Sequence, residues 1–223
     1  MKRIYLLSIL LLILTPKVNA QEFAPLHSKW YFQYWSINSG EIVTFYSAQV
    51  DRDTTINDRY VTILSLERND TIVPESEILL NEQNNKVYFF ENDSFKLFFD
   101  FNLVAGDTLT FSVPQNYQYY DVSCGIEPEA SETQLSKVKI DSVTQNNLSG
   151  QLLNVYHTSP IEDISSQYFN WNLGTVYERI GSKYGIFGYS ITQCLGGDLG
   201  YFRCYSDSLI QVQNSIEECD FLL

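Results

Sequence analysis

Apolar and polar residues alternate along most of this chain with a period of two, and helical periodicity is hard to find beyond residue 21. A period of two puts successive side chains on opposite faces of a strand, so the pattern predicts half-buried β structure. Strands are predicted near 29–37, 42–50, 59–67, 71–80, 86–91, 95–101, 108–113, 135–144, 150–158, 168–178, 184–191, 200–206 and 208–213. Between apolar or β-branched runs stand Asn57-Asp58, Asn69-Asp70, Asn84-Asn85, Asn92-Asp93 and Asn146-Asn147. Asn and Asp tolerate the left-handed backbone that a two-residue hairpin demands, so each pair reads as a hairpin turn. Such short spacings leave no room for the crossover helices that parallel strands need. The fold class is therefore all-β, an antiparallel meander forming a curved sheet, barrel or sandwich. Two polar segments, 114–134 and 159–167, read as surface loops. Seven of the 11 glycines fall between Gly174 and Gly200, where turns, bulges or close backbone approaches are expected.

The first twenty residues break this pattern. Lys2 and Arg3 precede an apolar run of 11 residues from Ile4 to Leu14, and Val18-Asn19-Ala20 sets small residues at −3 and −1. That order is a secretory signal peptide. The run falls short of the roughly 18 residues a membrane-spanning helix needs, so no transmembrane segment is expected after signal removal. The expected organisation is a signal peptide over 1–20 and one secreted all-β domain over 21–223. Cleavage removes three basic residues and no acid, which moves the net charge from −13 to −16 over 203 residues. Nucleic-acid binding needs a cationic footprint, so this balance disfavours it. A secreted or periplasmic location in the cell envelope also makes disulfides of Cys124, Cys194, Cys204 and Cys219. Four cysteines allow three connectivities; Cys204–Cys219 is favoured, or Cys194–Cys204 across Gly196-Gly197-Asp198. There is no Cys-x-x-Cys pair and the two histidines are remote, so no zinc site is expected.

Candidate chemistry is sparse. The chain has no Gly-x-Ser-x-Gly elbow, no His-Glu-x-x-His, no phosphate loop and no dinucleotide fingerprint. His27 and His157 carry no nucleophile signature beside them, so structural roles are expected for both. Asp51-Arg52-Asp53 with Asn57-Asp58 offers oxygen ligands of the kind calcium takes, without the glycine and distal glutamate of an EF-hand loop, and reads as a solvated hairpin. No cofactor and no metal are expected. The most unusual local feature is the run Trp30-Tyr31-Phe32-Gln33-Tyr34-Trp35, which places rings on both faces of one strand. A strand buried on both faces accounts for it. The sharper alternative makes Trp30, Trp35, Tyr119 and Trp171 a ligand-binding platform for sugar rings or a protein partner, since aromatic rings give large contact area at small entropic cost.

Several segments carry a family likeness. Asp53-Thr54-Thr55-Ile56-Asn57, Lys86-Val87-Tyr88-Phe89 and the run from Phe99 to Thr108 come first, followed by Val138-Lys139-Ile140-Asp141-Ser142-Val143. Glu178-Arg179-Ile180-Gly181-Ser182-Lys183-Tyr184-Gly185 and Cys204-Tyr205-Ser206-Asp207 complete the series. In this order they resemble the N-terminal β region of type IX secretion cargo proteins, a region usually of unknown function. The resemblance implies envelope or extracellular residence rather than chemistry. Members typically continue into a β-sandwich sorting domain, whereas this chain stops at Cys219-Asp220-Phe221-Leu222-Leu223. The expected function is an exported non-catalytic β domain that binds a glycan, an envelope component or a protein partner. The alternatives are an envelope hydrolase using carboxylates or His157, and a structural envelope protein.

Overall fold

The computed structural model describes residues 22–35, 42–68, 71–72, 77–114, 135–161, 170–191, 199–213 and 219. The expected signal peptide, Asn69-Asp70, and most of the loops at 114–134 and 159–167 lie outside the described residues. The described residues contain strands and turns and no helix. A meander opens the chain: β1 (Lys29–Trp35), β2 (Ile42–Ile56), β3 (Arg59–Arg68), β4 (Thr71–Ile72), β5 (Ile78–Gln83), β6 (Lys86–Glu91) and β7 (Ser94–Asp100). A second follows through β8 (Thr108–Ser112), β9 (Leu135–Leu148) and β10 (Gln151–Pro160) to β12 (Thr175–Tyr177) and β13 (Gly181–Ser182). β11 (Asn170–Asn172) pairs β14 (Tyr189–Ile191) as a separate ribbon. The chain then returns in β15 (Leu199–Ser206) and β16 (Gln211–Gln213).

The larger sheet runs β16-β15-β1-β2-β3-β5-β6-β7, with β4 beside β3, and curls into a half-barrel. The smaller runs β13-β12-β10-β9-β8. Every strand pair is antiparallel, as the alternation predicts. The curl has local causes. The ladder slips one residue at Asp51 in β2, at Phe98 in β7 and at Arg203 in β15, each leaving an unpaired residue on one strand. Such bulges bend a strand and raise its twist.

Three of the predicted turns form with both residues in the left-handed region: Asn57-Asp58 (φ 50 and 60°), Asn84-Asn85 (56 and 60°) and Asn92-Asp93 (50 and 57°). Asn146-Asn147 does not turn. β9 runs on to Leu148, which pairs Gln151, and the turn is Ser149-Gly150 (φ 52 and 84°). Glycine tolerates the left-handed region better than asparagine, and Asn147 supports the turn from outside by accepting the Gly150 N–H at 3.0 Å. The glycine-rich stretch holds two close backbone approaches. A Cβ at Gly181 would stand 2.6 Å from the Ile186 carbonyl oxygen, and one at Gly188 2.4 Å from that of Asn172.

The core lies between the two sheets. Trp30, Phe32, Ala48, Val50, Leu64, Leu66, Ile78, Leu80, Val87 and Phe89 face it from the larger sheet, and Val138, Ile140, Leu153, Tyr156 and Val176 from the smaller. The bulge at Phe98 lets both Phe98 and Phe99 bury in succession. Phe98 meets Phe187 and Phe111 edge-on, at centroid distances of 4.8 and 6.2 Å. Pairs of this kind contribute roughly 0.5–1.5 kcal/mol each beyond the area they bury.

Cys204, on β15, is bonded to Cys219 with Cα atoms 5.6 Å apart, the first of the two favoured pairings. Cys124 and Cys194 lie outside the described residues. Closing a loop of 15 residues contributes about 3 kcal/mol in the chain-entropy model. Digestion of the oxidised protein without reductant is expected to yield one cross-linked peptide containing Cys204 and Cys219. A peptide joining Cys194 to Cys204 would contradict the pairing.

Candidate functional site

The site begins where two neighbouring strands part. β3 and β5 pair at Leu64↔Ile78, Ile63↔Leu79 and Thr62↔Leu80, and there the ladder ends. Beyond it Tyr60 pairs Thr55 of β2, and Glu82 pairs Val87 of β6. Asn81 sits in the fork. Its side-chain Nδ2 donates to the Tyr60 carbonyl at 2.8 Å, giving that carbonyl an amide partner where the β5 backbone has moved away. The fork opens into a cleft of about 1050 Å³. Tyr60 and Thr62 line it from β3, Leu80, Asn81 and Glu82 from β5, and Asn84 and Asn85 from the adjoining turn. Glu22, Phe23, Pro25 and Leu26 border it from the N-terminal segment, and Gln151, Arg179, Ser208 and Leu209 also line it.

Glu82 is the central group. It shares strand parity with Ile78 and Leu80, both buried, and so faces inward where the core gives way to the cleft. Its Oε2 accepts the Phe23 N–H at 2.5 Å. Phe23 in turn buries its ring against Phe98 and Phe101, which anchors the strap that carries that N–H. Burial pushes the Glu82 carboxyl up to about 7, and the negative charges of Glu22 and Glu178 add to the rise. The Phe23 N–H and the Arg179 charge act in the opposite direction and are outweighed.

Arg179 is buried, with its backbone at φ 74°. That conformation turns its carbonyl towards the strap, where it accepts the Ala24 N–H at 3.3 Å. Its Nε donates to Asp207 Oδ2 at 2.5 Å, and the Tyr205 hydroxyl donates to the same oxygen. Asp207 Oδ1 accepts the N–H groups of Leu209 and Ile210 at 2.6 and 2.9 Å. One carboxylate thus neutralises the guanidinium and shapes the turn that carries Ser208 and Leu209 to the cleft. The rim is apolar: Tyr60 is 51% exposed and Leu209 57%. The Tyr60 hydroxyl donates to Asp53 Oδ2 at 2.8 Å, which fixes the ring. Desolvation first, then that carboxylate, push the hydroxyl up to about 12, so it stays protonated at any physiological pH.

The residues singled out from sequence fall elsewhere. Trp30 and Trp171 are buried, and their indole N–H groups donate to the carbonyls of Ile180 (2.8 Å) and Phe187 (2.5 Å). Both are core anchors with their polar ends satisfied, which leaves them no ring face to offer a ligand. The side chain of Trp35 and all of Tyr119 lie outside the described residues. Trp30 and Phe32 face the core while Tyr31 and Gln33, on the other face, are only half-buried. β1 is therefore covered on one face rather than two, because the smaller sheet packs on one side of the larger. His27 is exposed, and His157 on β10 has Nε2 3.1 Å from Thr144 Oγ1. Asp51 to Asp53 are exposed on β2 of the hairpin that Asn57-Asp58 closes, as expected, with Arg52 paired to Glu77 and Asp53 accepting from the Tyr60 hydroxyl. Among the described residues no group of three or more His, Cys, Asp or Glu side chains is placed to hold a metal ion. Sequence reasoning missed Asn81, Glu82 and Arg179 as a group. The signal available was an acid at a core-parity position, in Ile78-Leu79-Leu80-Asn81-Glu82.

No protein-family model matches the chain, and no curated protein does. A solved structure from Bacteroides fragilis, described as an exported protein with YmcC-like fold, aligns over 81% of this chain and 95% of its own at 6% identity, with a TM-score of 0.38. Another, described as a lipoprotein from Parabacteroides distasonis, aligns over the same shares at 12% identity and a TM-score of 0.34. At these scores neither likeness bears on the fold or the cleft, which stand on this chain's own strand pairing and contacts.

Proposed function

We propose that the chain is an exported, non-catalytic β domain of the cell envelope that binds a glycan in the cleft between β3 and β5. The cleft itself carries this reading. An exposed tyrosine ring and Leu209 form its rim, and the amides of Asn81, Asn84, Asn85 and Gln151 line it with Glu82. Glycan recognition needs an apolar surface for the sugar's C–H face beside groups that hydrogen-bond its hydroxyls. The signal-like N-terminus, the Cys204–Cys219 bond and the motif likeness to type IX cargo regions support residence outside the cytoplasm. Titration calorimetry of the mature protein with envelope oligosaccharides tests the reading. Tyr60→Ala and Leu209→Ala change exposed positions, leave the core intact, and are expected to weaken binding at least fivefold. Unchanged affinity in both variants would move the site elsewhere. Release of reducing ends from the same oligosaccharides would overturn the non-catalytic part and favour the envelope-hydrolase alternative.

A further inference from the structure

We infer that the ligand of this cleft presents a primary ammonium group, seated against Glu82 and Asn81, as an incompletely acetylated amino sugar does. The inference rests on the cleft being the binding site and specifies the chemistry that would be recognised there.

Two independent observations support it. The first is a buried acceptor. Asn81 is 5% exposed and lines the cleft, and its Oδ1 accepts no hydrogen bond among the described residues. The Nδ2 bond to Tyr60 fixes which way the amide points, because a flipped amide would set two carbonyl oxygens against each other. A buried acceptor left unsatisfied costs about 1–3 kcal/mol, so the fork favours any donor that reaches it. On the next residue, Glu82 uses only Oε2 for Phe23, which leaves Oε1 as a second acceptor.

The second observation is charge. The groups acting on Glu82 are Glu22, on the strap, and Glu178 and Arg179, on the segment after β12. Arg179 is already matched by Asp207. Among the described residues the lining therefore holds two acids, Glu22 and Glu82, against Arg179, whose charge Asp207 already matches. A neutral sugar would leave that excess in place. An ammonium has three donors and no acceptor, which suits Asn81 Oδ1 and the second oxygen of the Glu82 carboxylate. A divalent metal fits less well, because the described residues gather no set of three acidic or other metal-binding side chains.

Calorimetry on the mature protein at pH 7 tests this with a glucosamine tetramer, its fully N-acetylated counterpart, and a lysine tripeptide beside its Nε-acetyl form. The expected result is that the free-amine tetramer binds at least tenfold more tightly than the acetylated one. Repeating the titration in buffers of different ionisation enthalpy should show about half a proton released from a carboxyl that titrates near 7, read as the difference between wild type and Glu82→Gln because the sugar amine takes up protons of its own near neutral pH. Glu82→Gln should abolish that proton release and cost at least tenfold in affinity. Should this variant misfold, Glu22→Gln, at an exposed position, should still weaken the free-amine tetramer about threefold. Equal binding of both tetramers would overturn the ammonium while leaving a glycan site. Binding of the lysine tripeptide alone would keep the ammonium and overturn the glycan. Failure of all four probes would overturn both.

Discussion

Replacing Asp207 by asparagine is expected to destabilise the domain by roughly 3–5 kcal/mol, the cost of breaking a buried ion pair from one side. The Arg179 and Asp207 side chains are 6% and 0% exposed, so the guanidinium has no solvent to turn to once its partner is neutral. Asparagine could still accept from Leu209 and Ile210, but it would leave Arg179 as an uncompensated buried charge. For a domain of this size the loss corresponds to a fall of roughly 6–20 °C in Tm. The same pair predicts an acid limb. Burial alone would raise the Asp207 carboxyl, yet the bonds from Arg179, Tyr205, Leu209 and Ile210 hold it below the usual carboxylate range. A group depressed in this way stabilises the fold above its unfolded pKa, near 3.8, and the stabilisation is lost as pH falls through the folded value. Urea melts at pH 7 and pH 3 measure both effects. The wild type's advantage over Asp207→Asn should be full at pH 7 and shrink towards pH 3, a difference in which the Glu82 contribution common to both proteins cancels. A variant within 1 kcal/mol of wild type at pH 7 would show that the pair is not desolvated in solution.

What could be read from the sequence was local. Asn57-Asp58, Asn84-Asn85 and Asn92-Asp93 announce their turns because the left-handed backbone is a property of those residues themselves. The alternation between them announces antiparallel pairing because adjacent hairpins need no distant information. Asn146-Asn147 misled because an equally good turn, Ser149-Gly150, stood two residues on, and the partner strand decides between such options. The site was illegible for a different reason. It depends on where β3 and β5 stop pairing, on a strap from residues 22–26, and on Arg179 meeting Asp207 across 28 residues. Trp30 shows the same limit. As one ring in an aromatic run it resembles a platform, and only its bond to the carbonyl of Ile180, 150 residues away, identifies it as a core anchor. Bulges also erase parity. After Phe98 the inward positions shift by one, so two consecutive phenylalanines bury and a period of two no longer assigns the faces.

Glu82→Gln is expected to move stability in the opposite direction from Asp207→Asn, and only in part of the pH range. The Glu82 carboxyl is raised in the folded state from 4.5 to about 7, so folding favours its protonated form. That contribution is fully present below pH 4.5, declines as pH rises through about 7, and is absent above it. At roughly 1.4 kcal/mol per unit, ionised Glu82 costs the fold about 3 kcal/mol at pH 8 compared with pH 4. Glutamine keeps an acceptor for the Phe23 N–H and carries no charge. The variant should therefore melt about 6–12 °C above wild type at pH 8 and level with it at pH 4, in calorimetric scans across that range. A difference of the same size at both pH values would show that packing, not ionisation, separates the two proteins. The window lies above the acid limb of Asp207, so the two effects can be read from one series of scans. A neutral residue at this position would give a more stable β domain at neutral pH, yet the chain carries an acid where the core opens into a cleft. Such a cost is understandable where the carboxylate contributes to binding, because groups that serve a site are often retained against stability. Stability gained at pH 8 and affinity lost at pH 7 in the same Glu82→Gln protein would locate that trade-off at one side chain.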